Sequence, residues 1–257
     1  GEILGLVGES GSGKSVTARS VMRLIPLPGR TVSGEISFAG MNLLELRESD
    51  MRHVRGARIG MVLQEPMTSL NPVLTIGAQV SEMFSYHRES APSGSIMDAA
   101  VDILSKVRIP DALRRMAEYP MHFSGGMRQR VSIAMATACT PDLVIADEPT
   151  TALDVTTQAQ VLELLLDLRR ELGIGVLFIT HDLGVVAEIC DSVAVMYAGK
   201  IVEYNDIETI FAAPQHPYTQ SLLGSLPRLG ERVGQLPTIE WQPPDLGDLP
   251  PGCAFAP

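Results

Sequence analysis

Along the chain, short apolar runs alternate with stretches of helical spacing. "EILGLV" (2–7) is a strand-like run that ends in a glycine loop, and "KSVTARSVMRLI" (14–25) follows with apolar positions at Val16, Val21, Leu24 and Ile25, the spacing of one helix face. "GEISFAG" (34–40) alternates and "RIGMVLQ" (58–64) is nearly all apolar, so both predict strands. From Pro72 to about Pro120 no strand-like run occurs, and helical segments are expected at 76–87 and 96–107. "DLVIAD" (142–147), "GVLFIT" (175–180) and "SVAVMYAG" (192–199) are continuous β-branched runs alternating with helices, one of them over 157–172. Runs of that kind fit strands buried on both faces of a parallel sheet. After about residue 205 the chain becomes Pro-rich, and "PTIEWQPPDLGDLPPG" (237–252) reads as an extended tail.

Composition narrows the class. A chain of 257 residues that is 45% hydrophobic can bury a full core. Thirty acidic residues against twenty Lys and Arg disfavour a nucleic-acid surface. Cys139, Cys190 and Cys253 lie far apart with no signal-peptide pattern, which points to a reducing compartment without a disulfide framework. The most apolar windows, such as "VLELLLDLRREL" (161–172), are interrupted by charges and fall short of the roughly 20 apolar residues a spanning helix needs. The chain is therefore not expected to cross a membrane by itself. It opens at Gly1 without an initiator Met and stops at Pro257 in mid-pattern, so it reads as a piece of a longer protein.

The strongest chemical signal is "GESGSGKS" (8–15), which satisfies G-x-x-x-x-G-K-S/T through Gly8, Gly13, Lys14 and Ser15. Its backbone amides, from Gly8 through Glu9, Ser10, Gly11, Ser12 and Gly13 into Val16, can wrap phosphates that side chains would obstruct. The Lys14 ammonium and Ser15 hydroxyl reach terminal phosphate and Mg²⁺. The loop lies between a predicted strand and helix, so a nucleoside triphosphate is the expected ligand.

At the end of the strand in "LVIADEPTTALD" (143–154) stand Asp147 and Glu148. A carboxylate just past the C-terminal end of a parallel strand sits where ligands of open α/β sheets gather, so Asp147 can hold Mg²⁺ through water opposite Ser15. Glu148 is then the general base for water in line with the γ-phosphate, or at least orients that nucleophile. Gln64 and His181 also end predicted strands, which places them at the same edge. The amide can contact Mg²⁺ and point at the attacking water, and the imidazole can donate to the γ-phosphate. His53, His87, His122 and His216 have no such placement. No metal-ligand spacing of Cys and His, no G-x-S-x-G elbow and no aromatic stacking platform are present.

A second anion-facing feature is "HFSGGMRQR" (122–130). Ser124 is a candidate N-cap, Gly125 and Gly126 allow close backbone approach, and a helix to about Cys139 presents its positive dipole end; as a bare pattern, Ser-Gly-Gly also reads as a flexible turn.

Taken in order, "GESGSGKS", Gln64, "FSGGM", "LVIADEP", "TALD" and "THD" resemble the Walker A, Q-loop, signature, Walker B, D-loop and H-loop of an ABC transporter ATPase subunit, over residues 1 to about 227. The resemblance implies an α/β P-loop NTPase fold of the ABC ATPase type, with a RecA-like parallel-sheet core, an inserted helical subdomain and an antiparallel β portion. It implies core segments at 1–71 and 141–227, a helical signature subdomain at 72–140 with Gln64 at its hinge, and a Pro-rich C-terminal tail at 228–257. It also adds Asp154 of "TALD" to the nucleotide-binding set, and has Ser124, Gly125 and Gly126 cap the γ-phosphate of ATP held by a partner subunit's loop.

"QEPMTSLNP" (64–72), "FSGGMRQR" (123–130), "DEPTTALDVTTQAQ" (147–160) and "HPYTQSLL" (216–223) resemble the dipeptide, oligopeptide and nickel importer subfamily. Phe123 and Met127 depart from the general LSGGQ signature in the manner of the peptide importers. The family's adenine-stacking aromatic lies upstream of the loop and outside this chain, so adenine binding is expected to be weakened or to use other contacts. Some peptide importers carry an iron–sulfur cluster on tail cysteines. Here "PPGCAFAP" supplies Cys253 where a cluster normally needs four thiolates, so no iron–sulfur cluster is expected in this chain.

The function implied is an ATP- and Mg²⁺-dependent ATPase subunit, peripheral on the cytoplasmic face of the inner membrane, powering import of di- or oligopeptides. A nickel-complex importer is the alternative. The partners implied are a second ATPase subunit, identical or paralogous, two transmembrane permease subunits and, indirectly, a substrate-binding protein, with no nucleic acid. A soluble ABC ATPase of DNA repair or ribosomes fits less well with the acidic balance, one ATPase unit and a short insertion. A nucleotide-binding regulator without turnover is a further rival. A P-loop kinase or GTPase would leave the signature unexplained, and no N-K-x-D pattern occurs.

Overall fold

A computed structural model describes residues 1–64, 69–87, 95–225, 244, 246–250 and 252–255. Parts of "QEPMTSLNP" and most of the Pro-rich tail, Trp241 included, lie outside the described residues. The chain divides into two compact units, one of Gly1 and Ala18–Leu177, the other of Glu2–Thr17 and Phe178–Pro257.

In the second unit, β1 (Ile3–Val7) pairs in parallel with β7 (Ser192–Tyr197), register Leu4↔Ser192 through Val7↔Val195. Every residue of β7 is buried, as its unbroken apolar pattern predicts. The predicted strand to 199 stops at Tyr197, because Ala198 (φ 47°) and Gly199 (φ 77°) form a tight turn into β8 (Lys200–Asp206), antiparallel to β7. β8 carries no periodic signal of its own, since it is largely exposed and its order comes from pairing. Asp206 caps α9 (Ile207–Ala212), and α10 (Pro217–Gly224) follows. α8 (Leu183–Ile189), capped by Asp182, packs on β1.

The first unit pairs β4 (Ile59–Val62) with β5 (Leu143–Asp147) in parallel, register Ile59↔Leu143 through Val62↔Ala146. β6 (Gly175–Thr180) begins in this unit and ends in the other, and α1 (Lys14–Val21) likewise crosses the boundary. The predicted continuation of α1 to residue 25 fails, with Arg23 at φ 51° and Pro26 beyond it. The predicted strand over 34–40 shrinks to β2 (Ser37–Phe38), paired antiparallel with β3 (Met41–Asn42). Ala39 (φ 49°) and Gly40 (φ 78°) close that hairpin. α2 (Glu48–Val54), which the apolar pattern leaves unmarked, precedes β4.

Between 72 and 120 the described residues form α3 (Ile76–Tyr86), α4 (Ile96–Lys106) and α5 (Ala112–Arg115), and no strand. A 3₁₀ turn over Pro120–His122 leads into α6 (Gly125–Thr137), which packs on β4. α7 (Val155–Leu172) begins two residues before its predicted start, capped by Asp154, and buries Val161, Leu162, Leu164, Leu165 and Leu168.

Candidate nucleotide-binding and catalytic groups

In the second unit the loop between β1 and α1 is shaped by glycine. Gly8 has φ +154°, and a Cβ placed there would stand under 3.0 Å from the Met196 carbonyl oxygen, so this position cannot take a side chain without moving β7. The Lys14 side chain is folded inward and buried, its ammonium donating to the Gly8 carbonyl at 2.7 Å and the Glu9 carbonyl at 2.8 Å. Ser12 N–H donates to Glu9 O at 3.2 Å and Gly199 N–H to Ser12 O at 2.9 Å. Ser15 is in the first turn of α1, where helix N–H groups lack intrahelical acceptors. Backbone donors, a buried cation and a hydroxyl at a helix start form a cradle for an oxyanion. His181, exposed, follows Thr180 at the end of β6, and Asp182 N–H donates to the Thr180 hydroxyl at 3.0 Å.

In the first unit Asp147 closes β5 and is 2% exposed. Glu148, directly after it, takes φ 47°, a left-handed conformation that costs a non-glycine residue about 1–2 kcal/mol and redirects its side chain. Its Oε2 accepts from Gln64 Nε2 at 3.0 Å and from the Thr151 hydroxyl at 2.9 Å. Two predicted site residues, far apart in sequence, thus meet through one carboxylate oxygen. The donation from the Gln64 amide nitrogen leaves its carbonyl oxygen to face a cation or water.

The signature segment lies in the same unit. Ser124 caps α6, its hydroxyl accepting Met127 N–H at 3.3 Å. A Cβ on Gly126 would stand under 3.0 Å from the Thr157 methyl. Thr157 is bound to Asp154 twice, N–H to Oδ1 at 3.0 Å and hydroxyl to Oδ2 at 2.7 Å. Those bonds hold the Asp154 carboxyl below the usual aspartate range. The signature glycine and Asp154 are therefore neighbours through Thr157.

Sequence reasoning passed over three contributors. Thr151 and Thr157 act by hydrogen bonds that become visible only once the turn after Glu148 and the cap of α7 are placed. Tyr218, inside the quoted "HPYTQSLL", is fully buried and its phenolic oxygen accepts Glu9 N–H at 2.9 Å.

Family models match the chain over residues 1–151 (ABC transporter) and over residues 202–257 (Oligopeptide/dipeptide transporter, C-terminal region). The chain is similar to the probable peptide ABC transporter ATP-binding protein y4tR of Sinorhizobium fredii, 54% identical over 258 residues that span 100% of this chain and 77% of that protein. It is also similar to the dipeptide transport ATP-binding protein DppD of Bacillus subtilis, at 51% identity over 257 residues, 100% of this chain and 76% of that protein. A solved structure, the dimeric post-hydrolysis state of the ATP-binding cassette MJ0796 bound to ADP and Pi, aligns with a TM-score of 0.69 at 28% identity, covering 80% of this chain and 85% of that chain. The fold and the loop define a P-loop α/β protein of the ABC ATPase type. The chain belongs to the ABC transporter family, in which it carries the nucleotide-binding part.

Proposed function

We propose that the chain is the ATP-binding and ATP-hydrolysing subunit of an importer for di- or oligopeptides. The observation that carries the catalytic half is the fixed Glu148 carboxylate, strained at φ 47° next to buried Asp147 and bonded at Oε2 by Gln64 and Thr151. A base held by two donors does not have to be ordered at the moment of reaction. The peptide cargo is supported by the match over 202–257 and by the names of the similar proteins.

In this reading Lys14 and the amides of Gly8 through Val16 hold the phosphates, and Glu148 takes a proton from, or aligns, the attacking water. Gln64 and His181 respond to the γ-phosphate. Ser15 Oγ, the Gln64 carbonyl oxygen and the Asp147 carboxylate are hard oxygen donors that suit Mg²⁺. Mg²⁺ held by such donors would supply neutralisation of phosphate charge. Ser124, Gly125 and Gly126 cap the γ-phosphate of ATP on a second ATPase subunit, identical or paralogous, and Asp154 lies beside them through Thr157. Two permease subunits and a substrate-binding protein complete the importer, with this chain peripheral at the cytoplasmic face of the inner membrane. Among the described residues no helix is long and apolar enough to cross a membrane.

Steady-state ATPase of the full protein against Glu148→Gln tests the catalytic assignment. Turnover is expected to fall by roughly 10²–10⁴-fold with ATP binding retained, the range for losing a positioned base. Equal rates would refute it.

A further inference from the structure

In the second unit, Glu203 of β8 organises the turn before α10, its Oε1 accepting Gln215 N–H at 2.7 Å and its Oε2 accepting His216 N–H at 2.9 Å. Burial opposes the ionised carboxylate, but these N–H donors outweigh it and hold the group below the usual glutamate range. His216 then caps α10, Nδ1 accepting Tyr218 N–H at 3.1 Å, and Pro217 occupies the first turn, where its missing N–H costs nothing. The result aims Tyr218 at the phosphate loop. Its phenol, pushed up to about 12 by burial, keeps its proton and accepts Glu9 N–H through a lone pair.

The same ring belongs to an aromatic cluster. Tyr197 lies 4.5 Å from Tyr218 between centroids, and Phe255 stands edge-on to both, 5.3 Å from Tyr197 and 5.5 Å from Tyr218. Tyr197 leads through Ala198 to Gly199, whose N–H is the second anchor of the loop, at Ser12 O. Beside these anchors a cavity of about 180 Å³ is lined by Glu9, Ser10, Ser12, Tyr197 and Leu246. On this side the loop is anchored by two hydrogen bonds, Glu9 N–H to the Tyr218 hydroxyl and Gly199 N–H to Ser12 O.

We propose that Tyr218 is a positioning residue of the phosphate loop and that the C-terminal segment, through Phe255, acts on nucleotide affinity by way of Tyr218. The inference rests on the reading of residues 8–15 as the nucleotide's phosphate site. Tyr218→Phe keeps the ring and removes only the acceptor, leaving Glu9 N–H without its anchor. Phe255→Ala keeps the acceptor and loosens the ring that carries it, and Phe255→Leu is a milder second variant.

ATP binding by titration calorimetry, steady-state kinetics and thermal unfolding on the full chain test it. Tyr218→Phe is expected to raise the Kd and KM for ATP about threefold to tenfold, the effect of one lost hydrogen bond, with kcat keeping more than half its value. Phe255→Ala moves Kd in the same direction, and Phe255→Leu less. The double variant is expected to match Tyr218→Phe alone within about twofold, since both changes act through one contact. A lowered melting temperature with unmoved Kd would show a purely structural tyrosine and overturn the proposal. Multiplying effects in the double variant would overturn the relay from Phe255. Wild-type protein that binds no ATP would instead overturn the phosphate-loop reading on which the inference stands.

Discussion

The sharpest structural demand on the phosphate loop is at Gly8, so Gly8→Ala is the perturbation to work through. Gly8 follows Val7, the last residue of β1, which is in register with Val195 of the parallel β7. An added methyl meets a backbone oxygen, Met196 O, which cannot rotate away as a side chain would. Either β1 and β7 separate at their ends or the loop lifts. The φ of +154° is costly for any L side chain, about 1–3 kcal/mol, and overpacking adds about 1–3 kcal/mol. The sum, about 2–6 kcal/mol, is a large share of an ordinary domain's stability of about 5–15 kcal/mol.

Gly11 is the internal control, with φ +83° and no atom within 4 Å of where an added methyl would sit. Gly11→Ala carries only the conformational cost, about 1–2 kcal/mol. At about 2–4 °C per kcal/mol, Gly8→Ala is expected to lower the melting temperature by roughly 4–24 °C and Gly11→Ala by roughly 2–8 °C. Differential scanning calorimetry of both variants without nucleotide measures the difference, which isolates the collision with Met196 O. Equal losses in the two would refute the steric argument.

Three further outcomes are expected. Thr157 and Thr209 donate to Asp154 and Asp206, holding both carboxyls below the ordinary 3.8, so the stability they contribute is in place above that pH and is lost as pH falls below it; Asp154→Asn should flatten the acid limb of a melting-temperature profile below about pH 4, and an unchanged limb would count against the cap. Burial pushes Cys139 to about 11 and Cys190 to about 12, whereas Cys253 is exposed, so a thiol reagent at pH 8 should titrate one thiol per native chain and three in denaturant; fast native reaction of all three would contradict that burial. Ser124→Asn and Ser124→Asp both keep a capping oxygen for α6, but only the aspartate sets a negative charge before a partner's γ-phosphate; in a Glu148→Gln background the Asp variant alone should abolish ATP-dependent dimerisation by size exclusion while monomer ATP affinity stays within about threefold, and equal dimerisation of the two would sink the assignment in trans.

What the sequence made readable follows from where each signal is stored. β1, β4, β5, β6 and β7 announce themselves because strands buried on both faces must be apolar throughout, and the phosphate loop does so because amide cradles need glycine at fixed spacing. β8 is largely exposed and exists by pairing with β7, a cause that lies in another segment. The 34–40 run alternates well enough to predict a full strand, yet Ala39 and Gly40 turn the chain back after two residues. At the candidate site, residue types can be picked from the sequence and their partners cannot. Glu148 can be picked from "ADEP", but the bond to Gln64 joins positions 84 residues apart. Tyr218 was invisible as a functional group, because a lone tyrosine in a helix start carries no signal until the fold brings it to Glu9.

The described site groups share one property that bears on how nucleotide would bind. Lys14 is bonded to Gly8 O and Glu9 O, Glu148 to Gln64 and Thr151, Ser124 to Met127 N–H, and Asp154 to Thr157. Each of these groups is already hydrogen-bonded within its own unit, which for the buried Lys14 avoids the penalty of an unpaired charge. Phosphate binding is then an exchange, in which Lys14 would give up carbonyl acceptors for phosphate oxygens while keeping its inward fold. The net gain is the difference between an ammonium bond to an anionic phosphate oxygen and its present bonds to neutral carbonyls, not the full strength of the new contact. Glu148 differs, since Gln64 and Thr151 hold its Oε2, and neither is one of the carbonyl acceptors that Lys14 would exchange. Gln64 and Thr151 orient the Glu148 carboxylate whereas Gly8 and Tyr218 shape the loop, so changes at the first pair should fall on turnover and changes at the second on affinity.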